Sequence, residues 1–176
     1  MILQAENTIV DQPDAKPVSS FNADIEFRNV SFSYEGKDVL KNINLKISKG
    51  QTVAIVGASG AGKSTLVDLI PRFHDVHSGE ILMDGTNIKN FKIDELRKLM
   101  GIVSQEPILF NDTIANNISL GAEQASILDI EQAGKIANAH EFIINKEDGY
   151  QAIAGDRGTK LSGGEKQRVT IARGHL

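Results

Sequence analysis

The chain has 176 residues, enough for one domain with a sizeable hydrophobic core. Its hydrophobic content of 40% is ordinary for a globular protein, and its net charge of −4 gives no general reason to expect nucleic acid as a partner. It contains no cysteine, which excludes disulfides and thiolate metal sites. The apolar runs are too short to cross a bilayer, and the N-terminus lacks a basic region followed by an apolar stretch, so we expect a soluble polypeptide.

The first segment of the chain is rich in Asp, Pro and Ser and has little apolar periodicity, which predicts a linker over residues 1–23. The domain is predicted to run from residue 24 to residue 176. From Asp24 to Tyr34 apolar residues alternate with a slip of phase near Asn29, which indicates a strand with a bulge. A second strand is expected to carry three apolar residues on one face: Ile43, Leu45 and Ile47.

A short apolar run over 52–56 predicts a strand that is buried on both faces of a sheet. Glycines mark residues 57–62 as a loop, and Lys63 begins a predicted helix that Pro71 kinks or ends. The order of strand, glycine loop and helix is the context in which phosphate-binding loops occur.

Further along the chain, Asp84-Gly85 between apolar residues predicts a hairpin turn. The apolar run over 100–104 predicts another buried strand. The pattern then becomes helical, so a helical insertion is expected at about residues 106–160.

The loop after the 52–56 run fits the phosphate-binding (Walker A) pattern G-x4-G-K-[ST]. In such a loop the glycines let backbone amides point toward phosphate oxygens, and the following helix adds a favourable dipole. Lys63 would reach the outer phosphates, and Ser64 would ligate Mg2+. A plain turn is the alternative, which the flanking strand and helix argue against. The candidate nucleotide-binding residues are Gly57, Ala58, Ser59, Gly60, Ala61, Gly62, Lys63, Ser64 and Thr65.

A second motif, LSGGEKQR, occupies residues 161–168. Taken alone, Ser162 followed by Glu165 is a capping box that opens a helix. Together and in this order, the two motifs resemble the ATP-binding cassette (ABC) family. The resemblance implies that the second motif meets the γ-phosphate of ATP held by a second subunit, through Leu161, Ser162, Gly163, Gly164 and Glu165.

The same resemblance assigns three further positions. Gln105, after the predicted 100–104 strand, is similar to the family's Q-loop residue, which touches Mg2+ and senses the membrane partner; a solvated loop residue is the alternative. Tyr34 matches the aromatic residue that stacks on adenine, although a strand tyrosine packed on its sheet would look alike. Residues 156–158, Asp-Arg-Gly, resemble an exporter loop that touches the membrane domain, with Asp156 where the family usually has Glu; an exposed turn is the alternative.

Several family features do not occur in these 176 residues. No apolar strand ending in Asp and Glu (Walker B) follows the second motif, and none of the four histidines takes the place of the switch histidine. Asp94-Glu95 precedes Gln105, and Asp129 and Glu131 fall in the helical insertion, so both pairs come in the wrong order. We therefore expect a fragment that holds ATP and hardly cleaves it, because the acids that bind Mg2+ and activate water are absent from the chain.

The fold class that the resemblance implies is α/β: a P-loop NTPase ABC cassette with an antiparallel β subdomain and a helical insertion, lacking the C-terminal part of the core. It also implies that the linker over residues 1–23 comes from a missing transmembrane domain. The implied function is ATP binding, with Lys63 and Gln105 as catalytic residues, Ser64 and Gln105 as metal ligands, and ATP hydrolysis driving export in the complete parent. The implied partners are a second cassette and a transmembrane domain, on the cytoplasmic face of the plasma membrane, without nucleic acid.

Three alternatives remain open at this stage. One is a non-enzymatic nucleotide-binding module, and another is the stand-alone cassette of an importer. The last is a soluble ABC ATPase of DNA repair, which usually inserts coiled coils or zinc modules between the two motifs. The stretch between Gln105 and Leu161 is too short for such modules and has no cysteine.

Overall fold

The computed structural model describes residues 9–104, 106–122 and 124–176. The chain forms two compact units, Met1–Met100 and Gly101–Leu176. In the described part of the chain, no helix is both long and apolar enough to cross a membrane.

An antiparallel sheet of four strands organises the first unit, in the order β2-β1-β3-β4. Its strands are β1 (Asp24–Tyr34), β2 (Lys37–Ser48), β3 (Ser78–Met83) and β4 (Thr86–Asn87). The predicted bulge in β1 is confirmed, because the register shifts between Phe27 and Val30 and Asn29 has a φ of 50°. The predicted second strand is also confirmed.

The predicted hairpin turn at Asp84-Gly85 joins β3 to β4 and is confirmed. Met83 pairs with Thr86, and the two loop residues have φ values of 52° and 78°. Two consecutive positive φ values define a type I′ turn, whose twist matches that of the flanking strands. The DG sequence therefore fixes the register of this hairpin.

The described residues of the first unit also form two short α-helices: α1 (Lys63–Asp68) and α2 (Ile93–Lys98). The predicted helix start at Lys63 is confirmed, and α1 ends before Pro71, as expected. Leu66 and Leu69 of the α1 segment pack on the sheet residues Phe32 and Leu40 in one hydrophobic core. This packing sets the helix, and the loop that precedes it, against β1 and β2.

The predicted buried strands over 52–56 and 100–104 are not strands in this structure. Val53 and Val56 are 46% and 89% exposed, and Ile102 is 43% exposed. An apolar run favours burial, but a strand also needs a neighbour that accepts its backbone hydrogen bonds. No strand of the described residues pairs with either run, and both runs are without regular secondary structure.

The segment before β1 is tied to the first unit by backbone hydrogen bonds. The Lys16 N–H donates to the Asn90 carbonyl at 2.7 Å, and the Glu95 carboxylate accepts from the Val18 N–H at 2.9 Å. The Asp84 carboxylate accepts from the N–H groups of residues 22, 23 and 24. Residues 1–8 of the predicted linker lie outside the described residues, and its origin in a membrane domain stays a prediction.

The second unit is helical, and three of its helices lie within residues 106–160, where the helical insertion is predicted. It contains α3 (Ile114–Ile118), α4 (Ile127–Ile136), α5 (His140–Ile144) and α6 (Gly163–Arg173). Val169 and Ala172 of α6 are fully buried in a core with residues from α3, α4 and α5. Of the isoleucines in α4 only Ile130 is buried, because the other two lie on its solvent face.

Candidate nucleotide-binding site

The predicted phosphate-binding loop, residues 57–62, lies between the 52–56 segment and α1. Gly62 caps α1 with a left-handed conformation, φ 83° and ψ 12°. A Cβ atom at Gly62 would lie 2.9 Å from Leu40 Cδ2 and 3.0 Å from Val39 Cγ1, both on β2. Two independent features therefore require glycine at this position: the left-handed backbone conformation and the close approach of β2.

Lys63 folds back over this loop. Its Nζ donates to the carbonyl oxygens of Gly57 at 2.9 Å and Ala58 at 2.7 Å. The ammonium group therefore lies over the first residues of the loop, while the neighbouring Ser64 is exposed at the start of α1. A cation, a free hydroxyl group and a loop with left-handed glycines form a donor set that fits a triphosphate and Mg2+.

Tyr34 lies at the end of β1 and is 40% exposed. Its ring contacts Phe32 edge-on, with centroids 4.8 Å apart, and His74 in the same manner at 5.2 Å. A half-exposed aromatic ring is free to stack on a base. Tyr34 packs at the end of the sheet and keeps an exposed surface, so both alternatives from the sequence stay open and stacking on adenine stays a prediction.

The LSGGEKQR motif opens α6 in the second unit. Ser162 is the N-cap: its Oγ accepts from the Glu165 N–H at 3.3 Å, and Glu165 Oε2 accepts from the Ser162 N–H at 2.7 Å. The predicted capping box is confirmed. Leu161 is buried in the helical core, whereas Gly163 and Gly164 are exposed.

The groups around Glu165 favour its ionised form. The N–H of Ser162 lowers the pKa of Glu165, and this outweighs partial burial, which acts in the opposite direction. The ammonium group of Lys146, 3.5 Å from Glu165 Oε1, contributes in the same downward sense. The contacts of the capping box therefore favour the ionised form of Glu165.

Two other predicted positions have different outcomes. Gln105 lies outside the described residues. Residues Asp156–Gly158 form a 3-10 turn in which Arg157 has a φ of 48°, and the side chains of Asp156 and Arg157 are exposed. A turn at this place agrees with both interpretations, so contact with a membrane domain stays a prediction, as do the roles of the other site residues.

Several buried polar residues that make hydrogen bonds within one unit or the other are not predicted from the sequence. Arg72 is 2% exposed and pairs with Asp75, and Asn117 is 1% exposed and bonds the backbone of Phe110 on both its N–H and its carbonyl. The rings of His74 and His77 both contact Phe32. A polar side chain inside a loop gives no periodic signal, so composition alone hides such contacts.

Comparison with known proteins identifies the fold. The family model described as ABC transporter matches residues 40–176. The ATP-dependent lipid A-core flippase of Syntrophus aciditrophicus (strain SB) is 51% identical over 168 residues, covering 96% of this chain and 28% of the flippase. ABC transporter B family member 13 of Arabidopsis thaliana is 52% identical over 169 residues, covering 94% of this chain and 14% of the plant protein.

A solved structure gives the same result. The chain superposes on a bacterial Atm1-family ABC exporter with ATP bound, with a TM-score of 0.94 and 41% identity over 99% of this chain and 31% of the exporter. The chain thus spans less than a third of the length of these proteins. The matched region includes both motifs, and the α/β cassette fold inferred from them is confirmed. This chain belongs to the ABC transporter family.

Proposed function

We propose that residues 24–176 bind Mg-ATP as part of the nucleotide-binding domain of an ABC exporter. The observation that carries this proposal is the phosphate-binding loop, in which Lys63 lies over a turn that Gly62 closes against β2. The relatives support it, since one is named as ATP-dependent and the superposed exporter has ATP bound.

Each residue of the site has a chemical task in this proposal. Lys63 exchanges its two carbonyl partners for the outer phosphates, because an anionic oxygen is a stronger acceptor than a peptide carbonyl. Ser64 and Gln105 hold Mg2+, which neutralises phosphate charge when bound. Tyr34 stacks on the adenine ring.

The second motif serves a different ATP molecule in the proposal. The start of α6 presents Ser162, Gly163 and Gly164 to the γ-phosphate of ATP held by a second cassette. The motif and the phosphate loop then become halves of two shared sites in a head-to-tail dimer. The 3-10 turn at Asp156–Gly158 and the Gln105 region would contact a transmembrane domain at the cytoplasmic face of the membrane.

Hydrolysis needs more than these 176 residues supply. Phosphoryl transfer to water requires a group that orients and deprotonates the water, typically worth about a hundredfold or more. Neither Asp94-Glu95 in α2 nor Asp129 and Glu131 in α4 lies on a strand after the second motif. We therefore propose that the 176-residue polypeptide alone binds ATP with turnover at background.

The other candidate functions are less well supported. A DNA-repair ATPase is disfavoured by the compact helical unit, which runs from residue 101 to α6 with no coiled-coil insertion in its described residues. An importer cassette is disfavoured because the solved neighbour is an exporter and the flippase relative also carries this cassette within a longer chain. A non-enzymatic nucleotide-binding module describes the isolated polypeptide in the proposal above.

The decisive experiment is titration calorimetry of the 176-residue chain with Mg-ATP. Lys63→Ala removes a charge-assisted contact worth about 1.5–3 kcal/mol, so ATP affinity should fall about 10- to 100-fold. The matched control is Lys41→Ala on β2, because Lys41 is 75% exposed and, among the described residues, pairs only with the exposed Asp38. Its affinity should equal that of the unmutated chain. An unchanged affinity in Lys63→Ala, or an equal loss in both variants, would contradict the assignment.

A further inference from the structure

Four rings meet at the end of β1: Phe32, Tyr34, His74 and His77, here named the aromatic cluster. The ring of Tyr34 lies at 89° to that of Phe32 and at 88° to that of His74, with centroid distances of 4.8 and 5.2 Å. Perpendicular neighbours fix the direction of a ring without stacking flat upon it. Tyr34 is therefore oriented by two rings and still keeps 40% of its surface exposed.

His74 comes from the loop that follows α1, and its neighbours in sequence anchor that loop. The Arg72 guanidinium is 2% exposed and donates from Nε to Asp75 Oδ1 at 3.1 Å and from Nη2 to Asp75 Oδ2 at 3.3 Å. Arg97 of α2 donates to the carbonyl oxygens of Pro71 at 2.9 Å and Arg72 at 2.8 Å. His74 thus lies in sequence between Arg72 and Asp75, whose side chains are joined by hydrogen bonds.

Helix α1 links the loop that carries His74 to the predicted phosphate-binding loop. Helix α1 begins at Lys63 and ends at Asp68, and Leu69, directly after it, is fully buried in the core with Phe32. The loop that carries His74 follows directly. The His74 ring, beyond the C-terminal end of α1, therefore has a fixed position relative to Lys63 at the N-terminal end.

We propose that His74 is a positioning residue that orients Tyr34 toward the adenine ring of ATP. The inference rests on the proposed function, in which Tyr34 stacks on the base. His74 acts through Tyr34 and touches neither the phosphates nor Mg2+ in this proposal. Its contribution should consequently appear only for a ligand that has a base.

The test compares two ligands in titration calorimetry of the 176-residue chain: Mg-ATP and Mg-tripolyphosphate, which has the same chain of phosphates and no base. His74→Ala should weaken ATP binding about three- to tenfold, the range of one aromatic pair. Tripolyphosphate binding should not change. His74→Phe, which restores a ring, should recover ATP affinity, whereas His74→Leu, which has no ring, should not.

Two controls separate positioning from general loss of structure. His77→Ala removes a ring that contacts Phe32 at 5.6 Å and bonds Ser33, so it perturbs the same cluster from another side and should leave ATP affinity unchanged. In a Tyr34→Ala background, His74→Ala should have no further effect on ATP binding, because the residue through which it acts is gone.

The outcomes are distinct. An unchanged ATP affinity in His74→Ala, an equal loss for both ligands, or additive losses in the double variant would overturn the positioning role and leave the proposed function standing. If the unmutated chain binds neither ligand, the proposed function fails and this inference fails with it. Should His74→Ala not fold, the comparison of His74→Phe with His74→Leu decides the question.

Discussion

Gly62 is the position at which the phosphate loop depends most sharply on the absence of a side chain. Replacing it by Ala places an L residue at φ 83°, which costs about 1–2 kcal/mol. The added Cβ also lies 2.9 Å from Leu40 Cδ2 and 3.2 Å from the Val39 carbonyl oxygen, so the loop or β2 must move, at a further cost of about 1–3 kcal/mol. We expect Gly62→Ala to destabilise the first unit by about 2–5 kcal/mol.

Gly60 is the matched control, since it has a φ of 79° in the same loop and a Cβ there would meet nothing within 4 Å. Gly60→Ala should therefore cost only the conformational part, about 1–2 kcal/mol. Urea unfolding followed by tyrosine emission in a Tyr150→Phe background reports the first unit alone, because the chain has no tryptophan and Tyr34 is then its single tyrosine. Equal shifts of the midpoint in the two variants would refute the steric argument.

Two further predictions concern the Asp84 turn and the start of α6. Asp84→Asn keeps a residue that tolerates φ 52° and removes the charge, so it should cost about 1 kcal/mol at neutral pH. Partial burial raises the pKa of Asp84, but N–H donors led by that of Ala23 outweigh it and lower the pKa. The stabilisation is therefore present above the unfolded-state pKa and is lost as pH falls through the folded-state pKa. Urea midpoints of Asp84→Asn and the unmutated protein that stay apart at low pH would contradict this. Ser162→Ala and Ser126→Ala each remove the N-cap of a capping box, and both should lower the thermal midpoint. Only Ser162→Ala should weaken ATP-dependent dimerisation measured by light scattering, and an equal weakening by both would reduce the motif to a helix cap.

The elements predicted from local signals are those that local interactions hold. The bulge at Asn29, the turn at Asp84-Gly85 and the cap at Ser162 each depend on a few neighbouring residues, and the structure has all three. The strand over 52–56 depends instead on partners elsewhere in the chain. Its apolar content gives the preference for burial, but hydrogen-bonded neighbours decide whether a strand forms, and sequence pattern carries no information about them.

The residues of the candidate site also differ in whether a local sequence signal predicts them. Lys63 and the glycines of the loop follow from a motif with fixed spacing, so their place at the start of α1 was predictable. The contact of His74 with Tyr34 joins residues forty positions apart through a loop without periodicity. The loop that carries His74 also contains the buried Arg72 and its partner Asp75, which nothing in the pattern of apolar residues distinguishes from surface charges.

The start of α6 shows why the cap and the proposed phosphate contact do not exclude each other. A helix has four N–H groups at its start without partners in the helix. The capping box serves Ser162 and Glu165, and the N–H groups of Gly163 and Gly164 between them have no acceptor in the helix itself. A Cβ at Gly163 would meet nothing within 4 Å, so packing within this unit does not require glycine there. Two exposed N–H groups without a helical acceptor therefore agree with the proposal that an anion from a second cassette approaches the start of α6.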